Sequence, residues 1–313
     1  MKKVILSALI SSVILCSCGI AEGRVRELAI DEGHIPINET RIREQEDDPG
    51  YPIMTPGENS VEETPEAGKP FMGFSEVSLN EIESKYRDEV PEAFGTSIEC
   101  VITTIRTKKK IIALTFDACG GGAGFGFDEK LIEFLIDERI PATLFINGQW
   151  IEHNMGIFLE LAENKLFEIE NHGHSYRPLS VEGKKAYGIK GTQGAREVID
   201  EVLQNAKKIE SLTGRWPMFF RSGTAHYDDV ALKIVRDLEE IPVNFSINGD
   251  AGATFSANQI VEAAHNAPNG SILIYHMNHP EKQTAEGIME LIPLLQNNGY
   301  EFILLKDYGD LLE

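Results

Sequence analysis

From residue 110 onward, short apolar runs alternate with segments in which apolar residues recur every three or four positions. The runs cover 111–116, 142–147, 166–171, 218–221, 242–247, 271–276 and 301–305, each with the length and side chains of a buried strand. Between them the helical period covers 128–138, 151–164, 193–211, 228–239, 256–265 and 284–297. Strand and helix in strict alternation predict parallel pairing through right-handed crossovers. An open doubly wound sheet and a closed barrel both satisfy that pattern.

The strand ends decide between them. In "IIALTFDACGGGAGFGF" (111–127) the first run stops at Asp117 and passes into five glycines within residues 120–126. The third ends at Asn171-His172, the fourth at Arg221 and the sixth at His276, and Asp250 follows the fifth. Chemistry gathered at the C-terminal ends of several strands is what a barrel collects around one mouth. The expectation is therefore an α/β fold, a distorted (β/α) barrel of about seven parallel strands.

Upstream the pattern changes. Lys2 and Lys3 precede an uncharged apolar stretch, Val4 to Leu15, which has the form of an export signal and is too short to span a bilayer stably. "LCSC" (15–18) resembles the lipobox of bacterial lipoproteins, with residues 1–17 as signal and Cys18 as the lipid-bearing residue. That places the protein at the bacterial cell envelope, anchored to a membrane outside the cytoplasm through lipid on Cys18. Residues 18–75 read as a disordered acidic linker: 44–66 hold eight acids, four prolines and no base, too little apolar surface to offset chain entropy. Two short amphipathic stretches, 24–30 and 79–86, interrupt or follow it, and the second is expected to pack on the domain at 76–313.

The charge balance, 50 acids against 29 bases, argues against a nucleic-acid partner, since phosphate must be neutralised by Lys and Arg. Past the signal the cysteines are Cys100 and Cys119. A hairpin of 98–106 with 110–117 would set Cys100 opposite residue 115 or 116, so a disulfide with Cys119 is not expected. No histidine lies close in sequence to make Cys119 a nucleophile; only the fold can bring one. The stretch 180–197 reads either as a long loop over the third strand end or as an ordinary crossover connection, Trp150 as a half-buried helix-start aromatic, and His279 as a structural neighbour of the site.

Five segments carry a resemblance. "ALTFDACGG" (113–121), "EIENHGHSYRPLS" (168–180), "FFRSGTAHYDD" (219–229), "GDAGATFS" (249–256) and "SILIYHMNHP" (271–280) are similar, in order, to the five motifs of the polysaccharide deacetylases, carbohydrate esterase family 4 or the NodB-homology domain. The likeness spans 110–305. It implies a distorted barrel and removal of acetyl groups from an acetylated glycan by water on a divalent metal, zinc being expected. It assigns Asp117 as general base, Arg221 as its orienter, Asp250 as support for the arginine or for the acid, and His276 as the acid that protonates the leaving group. A metal-bound water near neutral pKa, with a base and an acid on either side, is chemically suited to amide or ester hydrolysis.

Two positions depart from the family. Its second motif-one carboxylate is Ala118 here, and its second histidine ligand is Tyr176, which leaves His172 in register. Zinc sites normally need three protein ligands. Glu170, two residues before His172 on the same strand face, is the first candidate to complete the set, with His174 next and Asp117 or Tyr176 also open. A domain that keeps the cleft as a glycan-binding surface lipoprotein is the alternative, and a glycoside hydrolase with Asp117 and Asp250 as its carboxylate pair a further one.

Overall fold

The computed structural model describes residues 73–312; the expected signal, Cys18, the stretch 24–30 and nearly all of the linker lie outside them. The barrel strands are β1 (Ile111–Ala118), β2 (Ala142–Ile146), β3 (Phe167–Asn171), β4 (Phe219–Phe220), β5 (Ile241–Pro242), β6 (Ile247–Asn248), β7 (Ser271–His276) and β8 (Glu301–Ile303). All pair in parallel, in the order β6-β7-β1-β2-β3-β4-β5, with β8 alongside the first residues of β1. The strand order and the curl meet the expectation of a distorted barrel. One difference is the run 242–247, which divides into β5 and β6. Those two pieces, joined by a bend at Val243–Ser246, form the opposite edges of the sheet, so one stretch of chain draws the curled sheet toward closure.

Alternation along β1 sorts its side chains into two cores. Ile112, Leu114, Phe116 and Ala118 face outward into a layer built with the helices, while Ile111 and Ala113 face the barrel interior with Phe145, Phe219, Val243 and Ile272. The helices are α1 (Glu76–Tyr86), α2 (Glu129–Asp137), α3 (Gly148–His153), α4 (Met155–Glu163), α5 (Gly194–Thr213), α6 (Asp229–Asp237), α7 (Ala257–Ala264) and α8 (Thr284–Asn297). Asp128, Asn147, Asp228 and Ser256 cap α2, α3, α6 and α7 by accepting a backbone N–H, which fixes where each of these helices begins. The single helix expected over 151–164 is two, α3 and α4, broken at Asn154. As expected, 79–86 packs on the domain: α1 buries Leu79, Ile82 and Tyr86 against α5 and α6.

The expected hairpin of 98–106 does not form. Ile102 bridges Val243, Thr104 bridges Ser271 and Ile105 bridges Leu312, so the segment closes the bottom of the barrel instead. Cys100 and Cys119 are both free thiols. Trp150 is fully buried and donates its ring N–H to the Gly126 carbonyl at 2.9 Å. Among the described residues no helix is long and apolar enough to cross a membrane.

Gly249 marks where β6 hands the chain to Asp250. A Cβ there would stand 2.1 Å from Cε1 of the buried Tyr275 ring, whereas one on Gly122 would meet nothing within 4 Å. Gly249→Ala is expected to destabilise by about 1–3 kcal/mol, the usual cost of overpacking, and Gly122→Ala by well under about 1 kcal/mol. Urea denaturation of the two variants beside the wild type checks the contrast.

Candidate active site

The register of β1 with β7 sets Asp117 directly beside His276 at the C-terminal ends of adjacent central strands. Asp117 is buried, and its Oδ1 accepts a hydrogen bond from Arg221 Nη1 at 2.7 Å. Arg221 has no exposed surface at all. Its guanidinium also donates to Thr115 Oγ1 (2.9 Å), the Val243 carbonyl (3.2 Å) and the Asn244 carbonyl (2.9 Å), and lies 4.0 Å from the centre of the Phe145 ring. Arg221 therefore fixes the carboxylate, as the resemblance implied.

Asp250 takes the second of its two expected partners, the acid. Its Oδ1 lies 2.9 Å from His276 Nδ1 and its Oδ2 accepts the His276 backbone N–H at 2.7 Å, with Thr284 Oγ1 at 3.2 Å. Burial alone would lower the His276 pKa, but the facing Asp250 carboxylate outweighs it and lifts the imidazole well above its ordinary value. Burial would raise the Asp250 carboxyl, and the same imidazole pulls it down instead. Asp250 is wholly buried behind His276, so it cannot pair with Asp117 across a substrate as a glycosidase would require.

His172 joins this group and the other two candidate ligands do not. Its Nδ1–H donates to the Arg221 carbonyl at 3.0 Å, which leaves Nε2 facing Asp117 Oδ2 and Cys119 Sγ, both at 3.6 Å. Burial opposes its protonation, yet Asp117 and Cys119 together raise its pKa. Glu170 does share the inward face, but at a lower level: its Oε2 accepts the Phe219 N–H at 2.6 Å, and burial followed by repulsion from Glu168 and Glu240 pushes its pKa far up. Its carboxyl is tied to the Phe219 backbone below the level of His172, and among the described residues no metal-holding group includes it. His174 leaves the strand face at Gly173, whose φ of +69° turns the chain, and its ring rests against Gly148, with its charged neighbours Lys208 and Glu152. Burial and Lys208 lower its pKa.

Among the described residues no three His, Cys, Asp or Glu side chains are grouped to hold a metal ion. Ala118 shows why: it faces the outer core at 0% exposure, so the vacancy expected beside Glu170 opens onto α2 and α3 and not onto the cleft. The residues present do not fit the three-ligand site that the family resemblance implies.

Cys119 is the residue the sequence reading set aside. The fold brings His172, 53 positions away in sequence, to within 3.6 Å of its sulfur. Burial would raise the Cys119 pKa, but His172 and His276 bring it below its ordinary value. Burial holds the Tyr176 phenol protonated well beyond the ordinary range. The signal that pointed to Asp117, a polar residue at a strand end opening into glycines, applied equally to its neighbour two positions on.

Over this group lies a cleft of about 380 Å³. Asp117, Ile274 and His276, at the ends of the central strands, line it together with Tyr176, Thr224, Phe245 and Asn248. The expected loop at 180–197 contains a small hairpin, Lys185–Ala186 with Ile189–Lys190, whose turn carries Tyr187, 81% exposed, to the rim. His279 is outside the cleft, near Glu281.

A sequence profile described as "Polysaccharide deacetylase" matches residues 104–240. The chain is 22% identical over 200 residues to a bifunctional xylanase/deacetylase of Pseudobutyrivibrio xylanivorans, covering 64% of this chain and 30% of that protein. It is 21% identical over 210 residues to a peptidoglycan-N-acetylglucosamine deacetylase of Bacillus cereus, covering 65% and 90%. The chain thus spans under a third of the first relative and most of the second. Among solved structures, a family 4 pseudoenzyme from Bacillus anthracis superposes with a TM-score of 0.54 at 18% identity, covering 64% of this chain and 66% of that one. A family 4 acetyl xylan esterase from Clostridium thermocellum, in complex with a cobalt ion, gives 0.53 at 23%, covering 64% and 91%. At these identities the structures speak for the fold.

The loop that carries Tyr176 is seated on Glu201 of α5, whose Oε1 accepts the Ser175 N–H at 2.8 Å. Burial lifts this carboxyl from 4.5 to about 7, against the opposing pull of that hydrogen bond and of Arg177. A raised folded pKa stabilises below the unfolded value, and the contribution is lost as pH rises through the folded one. Glu201→Gln, which keeps the acceptor, is therefore expected to match wild type near pH 4 and to exceed it at pH 8 by on the order of 1–3 kcal/mol. Urea midpoints at the two pH values test this.

Proposed function

This chain carries a polysaccharide deacetylase domain of the NodB-homology family, and from that premise we propose that it hydrolyses acetyl groups from an acetylated glycan at the bacterial cell envelope. The observation that carries the reading is the placement of Asp117 and His276 side by side in the lining of one cleft, each held by a buried partner of opposite charge. Removing an acetyl group requires a proton for the departing sugar oxygen or nitrogen. His276, kept as imidazolium by Asp250, is placed to give it. Hydrolysis also requires that a water lose a proton as it attacks, and the Asp117 carboxylate, oriented by Arg221, is placed to take it. The cleft suits a sugar, with Tyr176 and Tyr187 presenting aromatic surface and Asn248 and Thr224 polar groups.

The second reading, a glycan binder without turnover, is supported by Ala118 and Tyr176 at the two positions the resemblance reserves for metal ligands. Acetate release separates the two. With the full chain and acetylated peptidoglycan, chitin oligomers or xylan, release is expected from at least one. Asp117→Asn and His276→Ala should each lower it by about 10²-fold or more when assayed below the melting transition of each variant, a transition that losing a buried charge partner is expected to lower. Retention of glycan with no acetate released would establish the binder.

The envelope location rests on the Leu15-Cys16-Ser17-Cys18 context after a short apolar stretch. Cys18→Ala is expected to move the protein from the membrane fraction to the soluble one. Unchanged membrane association, with no lipid on the N-terminal peptide, would remove the anchor from the proposal.

A further inference from the structure

The small hairpin beside the cleft carries a residue that local backbone chemistry does not favour. Ala186 pairs with Ile189, so Tyr187 and Gly188 are the two residues of the turn, and both have positive φ, +51° and +80°. Positive φ at both central positions is the type I′ turn, whose favoured sequence is Asn-Gly. Gly188 meets that demand without strain. Tyr187 does not, because a bulky side chain at positive φ is held against its own sterics, and such strain marks places where something else is gained. Burial is not the gain, since Tyr187 is 81% exposed. Position is: the ring lines the same cleft as Asp117 and His276.

The ring is also held in place. It stands perpendicular to the His226 ring at 5.3 Å between centroids, and His226 lies 5.6 Å from Phe94 and donates its Nδ1–H to the Thr224 carbonyl at 2.6 Å. At the base of the hairpin the Lys184 carbonyl accepts the Gly191 N–H at 3.1 Å, and the Lys184 N–H donates to Ser180 Oγ at 3.2 Å. An exposed aromatic face that is already fixed loses little freedom when a ligand covers it.

We propose that Tyr187 is a stacking platform for a sugar ring, so that the site takes a glycan chain of at least two residues, one with its acetyl group at Asp117 and His276 and the next against Tyr187. The inference rests on the reading of the cleft as a glycan site. A pyranose ring presents a face of C–H groups with partial positive charge, and the face of a phenol ring is negative, so the two attract while water leaves both surfaces. A platform set apart from the reacting group selects a chain over a free acetylated sugar, because only the chain reaches both. Tyr187 is thereby a specificity-determining residue that takes no part in proton transfer, and the strain of its turn acquires a reason.

The test measures binding as well as turnover, with the full chain and three probes: an N-acetylated chitin tetramer, acetylated xylan oligomers and soluble peptidoglycan fragments. In calorimetric titrations the wild type is expected to bind at least one of these chains more tightly than the corresponding acetylated monosaccharide. Tyr187→Asn, which gives the turn its favoured Asn-Gly, should weaken that binding about 3- to 10-fold while melting at or above the wild-type temperature. A merely structural role would move affinity and melting in the same direction. Tyr187→Phe keeps the ring and should bind as the wild type does. In Tyr187→Trp the indole emission should shift to shorter wavelength as the chain is added, with the midpoint found by calorimetry. Unchanged affinity in Tyr187→Asn, equal affinity of the wild type for chain and monosaccharide, or an indole that does not respond to a bound chain overturns the proposal. A wild type that binds none of the chains overturns it together with the glycan reading. Acetate release by the wild type with affinity unchanged in Tyr187→Asn would sink the platform and leave the deacetylase reading standing. Weakened binding in that variant, with no acetate released by the wild type, would do the reverse.

Discussion

A guanidinium with no exposed surface has to find every partner inside the protein, and Arg221 does so in a way that organises the molecule. It holds Thr115 and Asp117 on one central strand, two carbonyls of the bend between β5 and β6, and the face of Phe145. Removing one partner of such a buried pair typically costs about 3–5 kcal/mol, because the remaining charge is left without water or counter-ion. The bend that draws the barrel together and the carboxylate in its cleft are thus held by the same side chain. Stability and site geometry cannot be tuned separately here.

The interior is stratified by what each acid meets. Toward the bottom, Glu168, Glu170 and Glu240 face hydroxyls, amides and backbone N–H groups, and burial raises all three pKa values. At the top, Asp117 accepts from the Arg221 guanidinium, and Asp250 faces His276, which pulls its pKa down. Burial sets the direction in one layer, and a facing cation reverses it at Asp250 in the next. The dividing line is the presence of a cation within contact distance, since burial is nearly complete in both.

Much of this was readable in advance. Apolar runs broken by helical periods gave the parallel barrel, and the polar residues closing those runs gave Asp117, His172, Arg221, Asp250 and His276. What escaped depended on backbone direction. Alternation assigns a face but not a level, so Glu170 was grouped with His172 although the carboxyl is fixed one layer below by Phe219. It also assumes that the strand continues, and the positive φ of Gly173 ends β3 and turns His174 away. The run 242–247 looks continuous because hydrophobicity does not register the bend that divides it. Cys119 was invisible for another reason: its partner His172 lies 53 positions downstream, and only the parallel register brings the two together.

The bend between β5 and β6 also bears on how the protein is made. β5 docks on β4 as soon as both have left the ribosome, but β6 has no neighbour until β7 is synthesised more than twenty residues later, and β7 in turn must find β1, more than a hundred and fifty residues earlier. A nascent chain therefore carries a half-formed sheet with an unpaired edge through most of its synthesis. Contacts so distant in sequence make for slow closure, and an open edge invites pairing with the wrong chain in the interval.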